Sequence, residues 1–410
     1  MKTLDEGSVD AIVTDPPYGL SAEPDMAEVL RHWLAGDDYE HRGSGFMGKS
    51  WDSFVPGPKV WEEAYRVLKP GGHLVAFFGS RTYDLGAIAI RLAGFHVRDQ
   101  LQWLYGSGFP KSRNLDGEWN GWGTALKPAH EPIVLARKPL DGTVAENVHT
   151  HGTGALNIDG CRVVHCSEED LATSLSKNPG RASTVTSNTY GKNRPQQSVN
   201  TSGRWPANLI LNEAAGEMLD GQSGISSGTE RRGFPGGSTF GGGKMKADQG
   251  QWFGDTGGAS RFFYCPKTSK AERNAGVENR APQRSNYRPN DDSEKNTIRE
   301  RLHNSRERAN HHPTVKPIDL MRWLVRLVTP PNGTVLDPFT GSGSTGCAAI
   351  LEDCDFIGIE QDPDYADIAS ARIEWWSTFD SGTSTEAALE TGSTESKSRD
   401  AGQLAIGDVL

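Results

Sequence analysis

Two short segments of this 410-residue chain carry residue types at spacings that could do chemistry. The first is Asp15-Pro16-Pro17-Tyr18. A carboxylate followed by two prolines has little conformational freedom, and an aromatic ring three residues on offers a flat surface to a planar substrate. An exocyclic amine on such a substrate is a poor nucleophile because its lone pair is delocalised into the ring. A carboxylate and a backbone carbonyl that accept its two hydrogens would push the nitrogen towards sp³ and release that pair, with no prior proton abstraction. Read alone, the same four residues could be a Pro-rich turn with a surface Asp.

The second segment is Asp337-Pro338-Phe339-Thr340-Gly341-Ser342-Gly343-Ser344-Thr345-Gly346, followed by Glu360 nineteen residues beyond Gly341. Glycines admit positive φ and let backbone approach a ligand closely, and a helix N-terminus favours negative charge. An acid at the end of the next strand is where a nucleoside-binding α/β domain holds ribose hydroxyls. GxGxxG spacing alone could be a tight packing turn. With strand, helix and distal acid in register it points to a nucleoside cofactor.

The elements that must position these residues alternate between strand and helix. Residues 9–14 alternate weakly and run into the Asp15-Pro16-Pro17 loop, which predicts a buried strand with a rigid end. Helical spacing covers 59–69, with Val60, Ala64, Val67 and Leu68 on one face and Lys69-Pro70-Gly71-Gly72 as the stop. A strand at 73–78, a helix at 82–93 and strands at 97–104 and 132–137 follow. After Pro317 a helix is predicted to bury Met321, Leu324, Val325 and Val328 and to turn Arg322 and Arg326 outward. Then come a strand at 334–337, a helix through Leu351, a strand at 356–359 and a helix at 363–376. This is an α/β pattern. Its two strands that end in Asp-Pro should lie side by side at the topological switch point, where ligands enter such sheets.

Between about 106 and 310 the periodicity fades, and residues 221–260 hold thirteen glycines. A compact domain does not contain so long a structureless loop. The chain therefore divides into 1–140, an inserted and partly disordered recognition region at 141–310, a second ordered half at 311–376, a Ser/Thr/Glu-rich flexible linker at 377–400, and an apolar end at 401–410.

Composition narrows the function classes. Apolar residues make up 35%, charged residues 23%, and mean hydropathy is −0.57. With no long apolar run and no signal-peptide pattern, the expectation is a soluble, cytoplasmic protein without a membrane partner. Five cysteines without a CxxC predict reduced thiols, and Cys161, His165 and Cys166 lack a suitably spaced fourth ligand, so no metal is expected. The net charge of −10 argues against a protein that coats itself in nucleic acid. Local charge differs, however: residues 261–326 carry fifteen Lys/Arg against eight Asp/Glu, whereas 377–410 carry two against six. An electropositive surface is compatible with the acidic total.

Taken together, Thr14-Asp15-Pro16-Pro17-Tyr18, His312-Pro313-Thr314-Val315-Lys316-Pro317, Phe339-Thr340-Gly341-Ser342-Gly343 and Glu360 resemble the S-adenosylmethionine-dependent DNA amino-methyltransferases of the N6-adenine/N4-cytosine family. The motif order is similar to that of the beta class, and the resemblance covers roughly 1–140 and 310–376. It implies a seven-stranded, mostly parallel, Rossmann-like sheet with a large, partly irregular insertion. By the same resemblance, Asp15 and the Pro16 carbonyl bind the target amine, Pro17 shapes the loop, and Tyr18 stacks on a base flipped out of the duplex. Thr314 and Lys316 contact the methionine carboxylate of S-adenosylmethionine. Asp337, Pro338, Phe339, Gly341, Ser342 and Gly343 wrap its methionine moiety, and Glu360 takes the ribose hydroxyls.

The implied activity is site-specific methylation of double-stranded DNA, with a cognate restriction endonuclease as a candidate second partner. Asp at the head of the first motif favours N6 of adenine, with N4 of cytosine as the alternative. Methylation of a protein glutamine would favour Asn at position 15. A non-catalytic DNA-binding module is disfavoured by intact Asp15, Tyr18, Gly341 and Glu360.

Relatives of this class carry a strand ending in Gly-Asp just ahead of the DPPY strand. Here Gln403-Leu404-Ala405-Ile406-Gly407-Asp408 holds that pattern at the other end of the chain. The expectation is a circular permutation in which Asp408 approaches the cofactor adenine and 377–400 is the tether; the alternative is an accidental Gly-Asp in a loose tail. Weaker signals are Phe46 to Asp52 as a closing loop, and Tyr105 to Lys111 and Arg261 to Tyr264 as aromatic and basic cleft residues. Arg288, Arg299, Arg301, Arg306 and Arg308 are candidate phosphate contacts.

Overall fold

The computed structural model describes residues 1–20, 23–41, 50–106, 108, 112–168, 170–171, 201–224, 226–227, 256–266, 271–278, 280–281, 283–284, 307–391 and 404–408. The strands of its main sheet are β1 (Val9–Thr14), β2 (Leu68–Phe77), β3 (His96–Leu104), β4 (His130–Arg137), β5 (Leu209–Leu211), β6 (Thr334–Asp337), β7 (Asp355–Glu360) and β8 (Leu404–Asp408). They form one sheet in the order β8-β7-β6-β1-β2-β4-β3-β5, and β4 alone among these runs antiparallel to its neighbours. Seven of these are the expected strands. The three-residue β5, from within the 141–310 region, adds an eighth at the edge.

The helices are α1 (Met26–Leu34), α2 (Pro58–Val67), α3 (Tyr83–Leu92), α4 (Val144–His151), α5 (Glu213–Ser223), α6 (Ile318–Val328), α7 (Ser344–Leu351), α8 (Pro363–Trp376) and α9 (Thr385–Thr391). Side chains alternate across a strand, so each central strand feeds two cores. Ala11, Val13, Val75, Phe77 and Val335 pack with Leu324, Val325, Cys347 and Ile373 from α6, α7 and α8. Ile12, Leu74, Ala76 and Leu336 pack on the other face with Trp61, Ala64, Val67 and Ile90 from α2 and α3. Both faces are covered, as parallel strands require. None of the described helices is long and apolar enough to cross a membrane.

Three local expectations are corrected. First, α2 ends at Val67 and buries Pro58, Trp61, Ala64 and Val67, while Val60 is only half-buried. Leu68 already belongs to β2, where Lys69 pairs with Asp10 at 2.6 Å. Second, Arg322 is buried rather than turned outward. Its Nε lies 2.7 Å from Glu352 Oε1, and its Nη1 donates to the Thr383 carbonyl. Periodicity could not reveal this, because Glu352 arrives from the end of α7. Third, the expected linker holds α9, whose Ala388 is fully buried and whose Thr385 hydroxyl donates to Asp319 Oδ1. The 141–310 region likewise contains α4 and α5 as well as β5.

Candidate active site

β1 and β6 are paired in parallel, Ala11 with Val335 and Ile12 with Leu336, so their ends deliver Asp15 and Asp337 to the same edge of the sheet. A direct bond ties the two loops. Thr14 Oγ1 donates to Asp337 Oδ1 at 2.5 Å, Thr345 Oγ1 donates to Asp337 Oδ2 at 2.6 Å, and the Phe339 amide donates to Oδ1 at 3.1 Å. Burial pushes the Asp337 carboxyl up to about 6, against the downward pull of the two hydroxyls and the amide. With both oxygens engaged by protein donors, Asp337 acts as the clamp between the two motifs.

The Asp15 loop is fixed from three sides. Asp52 Oδ1 accepts from the Tyr18 and Gly19 amides at 2.8 and 3.1 Å, and Thr82, just before α3, donates to the Tyr18 carbonyl at 2.7 Å. At its head lies a cluster of two acids, one ammonium and one phenol. Lys316 Nζ is 2.6 Å from Asp15 Oδ2 and 3.2 Å from Glu131 Oε2, and it donates to the Tyr18 hydroxyl at 3.1 Å. That hydroxyl in turn donates to Glu131 Oε2 at 2.9 Å. The side chains of Lys316, Asp15 and Glu131 are 6%, 16% and 20% exposed, so their mutual attraction is poorly screened.

Burial works against charge on Lys316, but Asp15 and Glu131 outweigh it and hold the ammonium above its ordinary pKa. Burial raises the Asp15 carboxyl, Lys316 opposes that rise, and Glu131 adds to it. Burial, Asp15 and Glu131 all raise the Tyr18 phenol, which stays a donor. The Asp15 Oδ1 atom is buried and has no hydrogen-bond partner among the described residues.

On the other motif, Gly341 has φ +54°, and a Cβ there would lie 2.8 Å from His312 Nε2. Its amide donates to Glu360 Oε2 at 2.7 Å, and the Asp362 amide donates to Oε1 at 2.9 Å. Gly343 has φ +78° for a different reason: a Cβ would meet the Ala369 backbone of α8 at 2.9 Å. Buried Arg372 donates to the Ser342 carbonyl at 2.6 Å and so braces the loop from α8. His312 stacks on Trp51 and meets Tyr365 edge-on, and burial lowers it to about 3, so it is neutral. Its Nδ1 bonds the Thr314 carbonyl at 2.9 Å, while Thr314 itself is exposed.

A positive-φ glycine in close approach, a carboxylate held at the end of β7 and an orphaned buried Asp15 oxygen fit a nucleoside cofactor beside an amine acceptor. β8 pairs in parallel with β7, with Asp408 in register with Glu360. The C-terminal Gly-Asp strand therefore forms the edge of the sheet beside β7.

Sequence reading missed Glu131 and Arg372, and it placed Asp52 only in a closing loop, without its bonds to the Tyr18 and Gly19 amides. Only Glu131 left a trace, an acid beside Pro132 at the head of an apolar strand. Phe46 to Lys49, Phe109 to Lys111, Arg288, Arg299, Arg301 and Arg306 lie outside the described residues, as does the side chain of Arg308. Arg261 turns towards its own turn, donating to the Gly257 carbonyl at 2.7 Å and lying over Phe262. Tyr264 donates to the Asp319 carbonyl. His165 and Cys166 face Asp170, which is also paired with Arg204, whereas Cys161 is buried against Trp323.

The sequence profile of the DNA methylase family, N6_N4_Mtase, matches residues 9–371. The chain belongs to the DNA methylase family. It is similar to the type II methyltransferase M.HindIII of Haemophilus influenzae, with 27% identity over 189 residues, 38% of this chain and 61% of that protein. It is 28% identical to M.HpaI of Haemophilus parainfluenzae over 140 residues, 34% of this chain and 35% of that one. The chain thus spans less than two thirds of the length of these curated relatives. Among solved structures it is similar to M1.HpyAVI, at 16% identity and TM-score 0.37, covering 91% of this chain and 89% of that one. PvuII DNA methyltransferase (cytosine-N4-specific) is similar at 14% identity and TM-score 0.41, covering 95% and 86%.

Proposed function

We propose that this DNA methylase family member transfers a methyl group from S-adenosylmethionine to N6 of adenine in double-stranded DNA, with the base turned out of the helix. The observation that carries the reading is the Thr14 to Asp337 bond, which holds the amine-binding loop and the glycine loop on one edge of the sheet. S-adenosylmethionine, when bound, supplies an electrophilic methyl group. Asp15 Oδ1 and the Pro16 carbonyl accept the two amine hydrogens, Pro17 keeps that loop rigid, and the Tyr18 ring faces the base. Pre-organised acceptors of this kind contribute by positioning, with no metal and no covalent enzyme intermediate.

Around the cofactor, Glu360 is oriented by the Gly341 and Asp362 amides to take ribose hydroxyls. Pro338, Phe339, Gly341, Ser342 and Gly343 line the methionine side, and Asp337 shapes that loop from within. Asp408 takes the adenine from β8. Thr314 is the candidate for the methionine carboxylate. Lys316 is engaged by Asp15 and Glu131, which supports a second role for it in orienting Asp15.

Expression in a methylation-free host followed by single-molecule sequencing tests the reading. N6-methyladenine at a defined motif is the expected result. N4-methylcytosine alone would overturn the adenine assignment, and unmodified DNA would contradict methyl transfer itself.

A further inference from the structure

The amine-binding loop presents one carboxylate by sequence, yet the folded site holds two. We infer that Glu131 on β4 is a positioning residue that, through their shared Lys316, makes Asp15 the acceptor of the proton released by the methylated amine. The inference rests on the transferase reading above.

An isolated Asp15 and Lys316 pair would be neutral and would hold the carboxylate in its ionised form. Glu131 lies 3.2 Å from the same ammonium, so two acids divide one cation and the mostly buried cluster carries one negative charge in excess. A second carboxylate nearby raises the proton affinity of the first. Glu131 also accepts the Tyr18 hydroxyl at 2.9 Å, which fixes the phenol at the other end of the loop.

Three other titratable groups face the cluster. Asp15 adds to the rise of the Asp337 carboxyl on β6, an acid already held by three protein donors, and Tyr105 beyond β3 faces Glu131 and Lys316 as a neutral phenol. His312, near Lys316, is neutral. The raised Asp15 carboxyl, to which Glu131 contributes after burial, agrees with the geometry.

In the step itself, the amine lone pair forms the nitrogen–carbon bond, and the carbon–sulfur bonding pair stays with the donor sulfur. The nitrogen then carries two hydrogens and a positive charge. One of these protons passes to Asp15 Oδ1 while its bonding pair returns to nitrogen, leaving a neutral secondary amine and a cluster without excess charge. No external oxidant or reductant takes part.

Glu131→Gln keeps an acceptor for Tyr18 and deletes the charge. In the cofactor-free protein with 13C-labelled Asp carboxyls, assigned by Asp15→Asn, the Asp15 titration should move down by about one pH unit or more. In the loaded enzyme kcat should fall by about tenfold, its acid limb should shift to lower pH by the same interval, and KM for DNA and cofactor should stay within about twofold. Glu131→Asp, which retains the charge, should restore the acid limb. An unmoved Asp15 titration in Glu131→Gln, or a loss confined to KM, overturns the inference. If Glu131→Gln fails to fold, an ordinary Asp15 titration in the wild type or in Glu131→Asp overturns it equally. A wild type that methylates no DNA would instead refute the transferase reading, while the carboxyl titration still decides what Glu131 does to Asp15.

Discussion

Asp337 illustrates how a single buried carboxylate can tie two loops together. Removing it in Asp337→Ala leaves the Thr14 and Thr345 hydroxyls without their acceptor and should cost about 2 kcal/mol in urea denaturation, since buried polar groups that lose a partner are expensive. A change below about 0.5 kcal/mol would show that the clamp is dispensable. Asp15→Ala should abolish methyl transfer while leaving calorimetric binding of S-adenosylmethionine intact; retained methylation would refute the amine-binding role. At this scale Asp15, Tyr18, Gly341 and Glu360 were legible because each lies in a local string whose chemistry depends on its immediate neighbours. Glu131, and the bond that Asp52 makes, were not, because these contacts with Tyr18 reach across 113 and 34 residues of chain.

Elements carry the next level of control, and α6 shows it best. The helix begins directly after Lys316-Pro317, so anything that moves its N-terminus moves the ammonium shared by Asp15 and Glu131. Buried Glu272 accepts the Ile318 amide at that terminus, and burial, aided by Asp319 and opposed by Arg372, pushes its carboxyl up to about 8. The folded state therefore binds a proton more tightly than the unfolded chain, where an ordinary glutamate titrates near 4.5. Stability from this group is complete below the unfolded value and is lost as pH rises towards the folded one. Wild type should lose about 1 kcal/mol per pH unit relative to Glu272→Gln between those limits. Parallel stability curves for the two proteins would remove Glu272 from the account. Arg322 escaped the sequence because 3.6-residue spacing marks the buried stripe of α6 but carries no information about Glu352, just past the end of α7, which neutralises an arginine inside that stripe.

For the molecule as a whole, the sheet order matters more than any element. Strand-helix alternation was readable over much of 1–140 and 311–376, though α1 went unread, and the switch point between β6 and β1 followed from two strands ending in Asp-Pro. Pairing of β8 with β7 was suggested by a Gly-Asp string alone, while β5 and α9 had no pattern strong enough to announce them. Deleting 392–410 should strip β8 from the edge of β7 and lower cofactor affinity by at least about tenfold, or 1.4 kcal/mol, in a calorimetric titration. Unchanged affinity would mean that Asp408 makes no contact with the cofactor.

The most direct test of the central claim is a crystal structure with S-adenosylmethionine bound. One hydrogen bond from Asp15 to the amine, about 3 Å, and one near-attack distance from amine to methyl, about 3.5 Å, place the methyl carbon within about 7 Å of Asp15 Oδ1. The account predicts that distance, with the ribose on Glu360. A methyl group held well beyond that limit, or directed away from the loop at Asp15, would contradict it.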